Sequence, residues 1–289
     1  TTAGGDTAAD VGVYLERVQA FFASFLTLPP TAGARTQVFV FSNRAEYAPY
    51  RTAASAAAYY QPSRERDFIV LGEFTGDSEP TLVHEYAHAA LDRAGAMYPP
   101  WLSEGLAEFF STMAPAKDRM LLGKPPAGRL AALAQGSLMP LSRLLSVTRS
   151  SPEYTSLHAG VFYAESWALV HMLVAGERFQ PNVDRFLSAV ATGTPADAAM
   201  KVAFGRSVDE LERDLRQYLS RGYYRQLSAP FRSSPAAAAP ALVEPTTRFT
   251  AELSLATMLA VGPGRQAAAR EAFERLAREG RVVRALAGE

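Results

Sequence analysis

Residues 80–110 read PTLVHEYAHAALDRAGAMYPPWLSEGLAEFF, and this stretch carries the strongest structural signals of the sequence. Pro80 is typical of the first turn of a helix, and Gly95 of the residue that ends one. These signals predict a helix over about 80–94, and the residues after Pro99-Pro100 predict a second helix that ends near 113. A short connection lets the second helix fold back against the first. The centre of the sequence is therefore expected to be a pair of packed helices.

Two further patterns precede this pair. Apolar residues recur at helical spacing over 10–26, which predicts an amphipathic helix that ends at Pro29-Pro30. The runs TQVFVF (36–41) and DFIVL (67–71) are rich in β-branched and aromatic residues and predict two strands. The N-terminal part is therefore expected to form a small sheet with helices.

The signals after residue 80 are almost wholly helical. The stretch 115–140 contains Gly and Pro and is expected to be an irregular excursion over the surface. His171 falls in an apolar helical run and is expected to be a core histidine. Beyond the central pair, helices are predicted over about 160–174, 182–191 and 208–218. A small sheet followed by a helical lobe is an α+β layout, which is the fold class that we predict.

The C-terminal segment predicts an αα-hairpin, with helices over 248–261 and 266–278 joined by Gly262-Pro263-Gly264. Ala269, Phe273 and Leu276 share one face of the second helix, which faintly resembles a tetratricopeptide unit. A single hairpin is not a repeat array, so a packed hairpin is the simpler interpretation.

These segments predict the domain organisation. A stretch rich in Pro and Ala is typical of a linker, and it separates the hairpin from the rest of the chain. The expected layout is a domain over 1–232, with an α/β part over 1–78 and a helical part over 79–232, then a linker over 233–245 and the hairpin over 246–289.

Composition excludes several classes of function. The 289 residues include 29 Lys and Arg and 29 Asp and Glu, so the formal net charge is zero at pH 7 and no overall field attracts nucleic acid. The sequence contains no cysteine, which excludes thiolate metal sites and cysteine nucleophiles. No run approaches the roughly 20 apolar residues that a membrane-spanning helix needs. We therefore expect no nucleic-acid partner, no membrane-spanning segment, and metal ligands that are nitrogen or oxygen atoms.

The segment His84-Glu85-Tyr86-Ala87-His88 places two imidazoles one helical turn apart on the same face. In this H-E-x-x-H pattern the two histidines bind zinc and the Glu acts as a general base. A catalytic zinc takes three protein ligands and keeps one position open for water. Glu104, on the second helix of the pair, is the best candidate for the third ligand. We therefore predict one zinc ion per chain, held by His84, His88 and Glu104.

The segments HEYAH and WLSEGLAEFF together resemble the gluzincin-type zinc metallopeptidases of the peptidase MA clan, the branch that contains thermolysin and aminopeptidase N. The resemblance implies a zincin-like catalytic domain that hydrolyses peptide bonds with a metal-activated water. It places the two zinc-binding histidines at His84 and His88, the general base at Glu85 and the third ligand at Glu104.

Two further residues receive roles from the same resemblance. Glu108 matches a carboxylate that accepts a hydrogen bond from the second ring nitrogen of a ligand histidine. Asp92, one turn after His88, is more simply a solvated residue. Tyr163, in the run VFYAESWAL, matches a tyrosine of aminopeptidase N that donates to the developing oxyanion. A tyrosine that merely packs the helical lobe is equally consistent with this pattern, and His158 is an alternative donor.

The resemblance also bears on substrate and location. Aminopeptidases of the clan carry a Gly-x-Met-Glu-Asn motif, but here only Gly72-Glu73-Phe74 follows the second predicted strand, so an endopeptidase acting on a peptide or protein is expected. The strand 67–71 is expected to line the cleft as an edge to which an extended substrate pairs. Because the family is often extracytoplasmic and the sequence opens without Met, a periplasmic or secreted bacterial location with an upstream segment removed is favoured.

Two other functions stay open. The chain could be a non-catalytic binding module in which the metal stabilises the helix pair and the C-terminal hairpin recruits a protein partner. It could also use the metal to hydrolyse a non-peptide bond. The sequence contains neither a G-x-x-x-x-G-K loop nor a G-x-S-x-G elbow, so nucleotide hydrolysis and serine esterase chemistry lack support.

Overall fold

The computed structural model describes residues 1–25, 35–53, 56–135, 137–155, 159–231 and 242–287. The described elements make the chain a mixed α+β protein, as predicted. In chain order they are α1 (Gly5–Phe25), β1 (Arg35–Val40), α2 (Arg44–Tyr47), β2 (Ala58–Gln61), β3 (Arg66–Leu71), α3 (Glu79–Arg93), α4 (Pro100–Ser111), β4 (Ala114–Ala116), β5 (Arg119–Leu122), α5 (Ala127–Gln135), α6 (Leu141–Ser146), α7 (Pro152–Thr155), α8 (Ala159–Ala175), α9 (Val183–Ala191), α10 (Ala196–Phe204), α11 (Val208–Ser220), β6 (Leu227–Pro230), α12 (Arg248–Val261) and α13 (Gln266–Ala287), with short 3-10 turns at Gly76–Ser78 and Gln180–Asn182.

The chain divides into two compact units. The first contains Thr1–Val13, Gly33–Phe74 and Pro240–Glu289, and the second contains Tyr14–Ala32 and Thr75–Ala239. The hairpin of α12 and α13 therefore belongs to the same unit as strands β1 to β3. The predicted linker over 233–245 lies mostly outside the described residues, and the predicted domain boundaries stay a prediction.

Strand β3 is the central strand of the three-stranded sheet in the first unit. It pairs parallel with β1, where Val38 lies opposite Ile69, and antiparallel with β2, where Tyr60 lies opposite the same residue. A strand that is paired on both sides offers no free backbone groups. The expectation that the strand over 67–71 is an edge for an extended peptide is therefore wrong. It failed because the four-residue strand β2 gave no recognisable sequence signal.

The hairpin packs on this sheet. Gln61 on β2 donates from its side-chain amide to the carbonyl oxygen of Met258 on α12, at 2.9 Å. The three residues of the predicted face differ in exposure, since Ala269 and Leu276 are buried, whereas Phe273 is 37 % exposed. The shared core of sheet and hairpin consists of Phe41, Tyr47, Tyr59, Phe68, Val70, Met258, Leu259 and Ala269.

Helix α4 packs against both α3 and α8 in the second unit. Gly105 lies where α4 meets α8, because a Cβ atom at this position would be 2.4 Å from the carbonyl oxygen of Ser166 and 2.5 Å from Cγ2 of Val170. Only glycine permits so close an approach of two backbones. Since Gly105 directly follows Glu104, this contact also determines where the predicted ligand lies. No single helix of the described ranges is long and apolar enough to cross a membrane, although α8 and the segment Gln180–Ala191 pass that test together across a bend of 87°.

The stretch 115–140 differs from the sequence prediction. Instead of an irregular excursion, it contains β5, most of β4 and the helix α5, and β5 pairs antiparallel with both β4 and β6. The hairpin between β4 and β5 turns at Lys117, whose φ of 57° is left-handed. Strands of three or four residues are too short to show a hydrophobic period, which is why the sequence missed them.

Candidate metal centre

His84 and His88 lie on α3 and Glu104 lies on α4. The Nε2 atoms of the two histidines are 3.2 Å apart, and Oε2 of Glu104 lies 3.3 Å from Nε2 of His84 and 3.2 Å from Nε2 of His88. The structure therefore brings the three predicted ligands together, and this group could hold a metal ion.

The size of this triangle is that of a metal coordination shell. Ligand atoms about 2.0–2.1 Å from a metal ion in a tetrahedral arrangement lie about 3.3–3.4 Å from one another. The observed separations are 3.2, 3.3 and 3.2 Å. One ion could therefore contact all three atoms with little movement of the side chains.

The far side of each imidazole ring has its own partner. Nδ1 of His88 lies 3.1 Å from Oγ of Ser103, and Nδ1 of His84 lies 3.5 Å from Oε1 of Glu108. A carboxylate facing Nδ1 favours a proton on that nitrogen and leaves the lone pair on Nε2 free for a metal. Glu108 is thus placed behind His84, where the sequence analysis expected a supporting carboxylate. Ser103 was not predicted, although it directly precedes the proposed ligand in the sequence.

Glu108 is buried and is paired with Arg129 of α5. The Nε atom of Arg129 donates to Oε2 of Glu108 at 2.9 Å, and its terminal NH2 group donates to Oε1. This is a two-pronged arginine–carboxylate pair, which fixes the plane of the carboxylate. The guanidinium carbon also lies 5.0 Å from the centre of the Tyr163 ring. Arg129 was not predicted, because it lies in the stretch 115–140 that was expected to be irregular.

The second oxygen of Glu104 also has a partner. The hydroxyl of Tyr154 donates to Oε1 of Glu104 at 2.8 Å. The rings of Tyr154 and Tyr163 lie 6.2 Å apart, and a hydrogen bond joins their hydroxyl groups. Tyr154 was not predicted, and no local pattern singles it out, since its partner is far away in the sequence.

The charges of the site favour a cation. Burial acts to raise the pKa of Glu104, but the charges and hydrogen bonds of His88 and His84 outweigh it and hold that pKa far below its usual range. Burial acts to lower the pKa of His84, but its hydrogen bond to Glu104 and the negative charges of Glu85, Glu104 and Glu108 raise that pKa to about 9. A positive charge at this position is therefore strongly stabilised by its surroundings.

Glu85 and Tyr163 also contribute to this site. The negative charge of the half-buried Glu85 raises the pKa of both His84 and Tyr163. The pKa of Tyr163 is raised first by burial and then by the charges of Glu104 and Glu85, so this hydroxyl keeps its proton at neutral pH. Both predicted catalytic residues therefore interact electrostatically with the ligand group.

The remaining candidates lie outside this group. Asp92 is exposed on α3, as expected of a solvated residue, and His158 lies outside the described residues. His171 is completely buried, and its two ring nitrogens contact the hydroxyl of Tyr218 and the carbonyl oxygen of Gly123. It is a core histidine with both nitrogens satisfied, as predicted.

The geometry defines a class of site, namely a His-His-Glu group on two packed helices that could hold a metal ion. No family model matches the chain, and no curated protein matches it.

Proposed function

We propose that the chain is a zinc-dependent peptidase that cleaves peptide bonds within a peptide or protein substrate, with Glu85 as the general base. The observation that carries the proposal is the triangle of His84 Nε2, His88 Nε2 and Glu104 Oε2, with sides of 3.2–3.3 Å. Glu85 follows the first of these residues and its charge acts on the same site. The resemblance of HEYAH and WLSEGLAEFF to gluzincin peptidases supports the same activity and a zincin-like catalytic domain.

Zinc is proposed as the metal because of the donor set. Two imidazole nitrogens and one carboxylate oxygen are the ligands of the zinc in several hydrolases, where a fourth position stays open. The chain has no cysteine, so a thiolate site is excluded. When bound, a zinc ion would supply Lewis acidity and lower the pKa of its water to about 7.

The side chains of the site would each have a separate role in the reaction. Glu85 would take the proton of the attacking water on a carboxylate oxygen and pass it to the leaving nitrogen. Tyr163, which keeps its proton, would donate a hydrogen bond to the negative charge that develops on the carbonyl oxygen. Glu108 and Ser103 would hold the imidazole rings of His84 and His88 in place.

The test compares Glu85→Gln with the unchanged protein on a mixed peptide library. Because Glu85 is not a ligand, the variant should keep its zinc, measured by elemental analysis, while cleavage measured by mass spectrometry falls by about 10²–10⁴-fold. Asp92→Asn is the matched control, since it removes an exposed carboxylate from the same helix and should leave cleavage unchanged. Undiminished cleavage by Glu85→Gln would contradict the proposal.

A metal-stabilised binding module is the second candidate. It is favoured by the position of the ligands on the two packed helices α3 and α4, which a bound ion would cross-link. The C-terminal hairpin would then recruit the partner, and Phe249 and Leu253 on α12 are exposed for such a contact. Bound zinc that raises the melting temperature, with no cleavage by wild type or Glu85→Gln, would favour this function.

A further inference from the structure

The two oxygens of Glu104 have different partners. Oε2 faces the Nε2 atoms of His84 and His88 at 3.3 and 3.2 Å, whereas Oε1 accepts a hydrogen bond from Tyr154 at 2.8 Å. The side chain is buried, with 5 % of the residue exposed. A buried carboxylate needs a partner for each of its oxygens. The packing of this site therefore gives each oxygen of Glu104 its own partner.

Tyr154 is held in place by its ring. The residue lies on the short helix α7, and its ring packs edge-on against Phe162 of α8, with 5.6 Å between the ring centres. Phe162 is completely buried. Packing of this kind limits the rotation of the Tyr154 side chain and hence the position of its hydroxyl.

The direction of the hydrogen bonds follows from the number of protons. A carboxylate oxygen can only accept, and a phenol carries one proton, so the proton of Tyr154 is donated to Glu104. Tyr163 is the neighbouring tyrosine, with its ring centre 6.2 Å from that of Tyr154. Among the described residues, Tyr154 is the tyrosine whose hydroxyl donates to Glu104, which makes the two tyrosines a useful pair for comparison.

We propose that Tyr154 is a positioning residue of the metal site, which restricts Glu104 to binding a metal ion through Oε2 alone. A carboxylate can bind a metal through one oxygen or through both. Because Oε1 accepts the hydrogen bond of Tyr154, this oxygen does not bind the ion, and the coordination position needed for water stays open. This inference rests on the proposed function, because only a hydrolytic site needs that position.

The test replaces Tyr154 by Phe, which removes the hydroxyl and keeps the ring that packs on Phe162. Oε1 of Glu104 then loses its donor, so we expect Zn²⁺ affinity, measured by competition with a chromophoric chelator, to fall by about 10–100-fold, as for other residues that support metal ligands. With Co²⁺ in place of Zn²⁺, the visible absorption should weaken, because binding through both oxygens changes a four-coordinate ion into a five-coordinate one.

Tyr163→Phe is the matched control. It removes the neighbouring hydroxyl, which does not donate to Glu104, and should keep both the Zn²⁺ affinity and the Co²⁺ spectrum of wild type. Thermal unfolding of the metal-free proteins, followed by circular dichroism, checks that both variants fold. A folded Tyr154→Phe with unchanged affinity and an unchanged Co²⁺ spectrum overturns the positioning role.

The readouts separate this inference from the proposed peptidase activity. A lower Zn²⁺ affinity of Tyr154→Phe supports the positioning role even if the wild type cleaves no peptide. In that case only the proposed peptidase activity is contradicted. Cleavage by the wild type together with unaltered metal binding in Tyr154→Phe leaves the peptidase proposal standing and overturns the role of Tyr154. A wild-type protein that binds neither Zn²⁺ nor Co²⁺ overturns both.

Discussion

His171 is expected to make the stability of the second unit depend on pH. Its Nε2 atom lies 2.8 Å from the carbonyl oxygen of Gly123, which can only accept, so this nitrogen carries the proton. Its Nδ1 atom lies 2.7 Å from the hydroxyl of Tyr218 and, in the neutral ring, accepts the hydrogen bond that this hydroxyl donates. Burial is the main cause that lowers the pKa of His171 to about 4. The folded protein therefore holds this histidine neutral down to acidic pH.

The magnitude follows from the two pKa values. The ordinary pKa of histidine is 6.5, so between pH 6.5 and 4 the unfolded chain binds a proton that the folded chain does not. The free energy of unfolding therefore falls as the pH falls. The two pKa values differ by about 2.5, and one pKa unit corresponds to about 1.36 kcal/mol, so the loss of stability from this residue is at most about 3.4 kcal/mol. Between pH 7 and pH 5 the expected loss from this residue is about 2 kcal/mol.

The assay compares wild type with His171→Phe, both free of metal. The variant leaves Tyr218 and Gly123 without their partner, which should cost about 1–3 kcal/mol for each polar group at pH 7. Urea unfolding is followed by tryptophan fluorescence, because Trp101 and Trp167 are the two tryptophans of the chain and both lie in the second unit. Trp167 is the nearer reporter, with its ring centre 5.1 Å from that of His171.

The decisive quantity is the difference in unfolding free energy between the two proteins. Other groups titrate in both proteins and cancel, so the advantage of wild type should shrink by about 2 kcal/mol between pH 7 and pH 5. A difference that stays constant over this range would refute the reasoning. It would mean that the buried ring already accepts a proton in the folded state.

Two further predictions concern the site and its support. Arg129→Gln breaks the paired hydrogen bonds to Glu108 and should lower Zn²⁺ affinity about 10-fold in the chelator competition. Arg178→Gln, which removes a largely exposed guanidinium, is the control and should keep the affinity of wild type. Equal Zn²⁺ affinities of the two variants would argue against a supporting role of Arg129. Gly105→Ala places a methyl group 2.4 Å from the carbonyl oxygen of Ser166 and should lower the unfolding free energy of the metal-free protein by about 1–3 kcal/mol, measured in urea at pH 7. An alanine variant as stable as wild type would show that α4 and α8 can separate without cost.

Elements with strong local signals could be predicted from the sequence. The helix expected over 80–94 is α3 at Glu79–Arg93, and the strand expected over 36–41 is β1 at Arg35–Val40. Helix periodicity, Pro at a first turn and Gly after a last turn act within a few residues, so they do not depend on the rest of the fold. The short strands β2, β4, β5 and β6 could not be predicted, because pairing with distant segments is what makes them strands.

The ligands of the candidate site could be predicted for a similar reason. The distance between His84 and His88 follows from the geometry of one helical turn, and Glu104 lies on a second helix that a short connection brings close. Their supporting residues could not be found in this way. Arg129 meets Glu108 across 21 positions of sequence, and Tyr154 meets Glu104 across 50.

The sequence by itself determined the longer helices, such as α3, α4 and α8, and the residue types that could bind a metal, because these depend on neighbours within one or two turns. Only the tertiary structure decided that three ligand atoms meet within 3.3 Å, which oxygen of Glu104 faces the histidines, and that β3 is a central strand. The physical reason is that such contacts join segments far apart in the chain. Their geometry is set by close approaches such as that at Gly105, which no local pattern encodes.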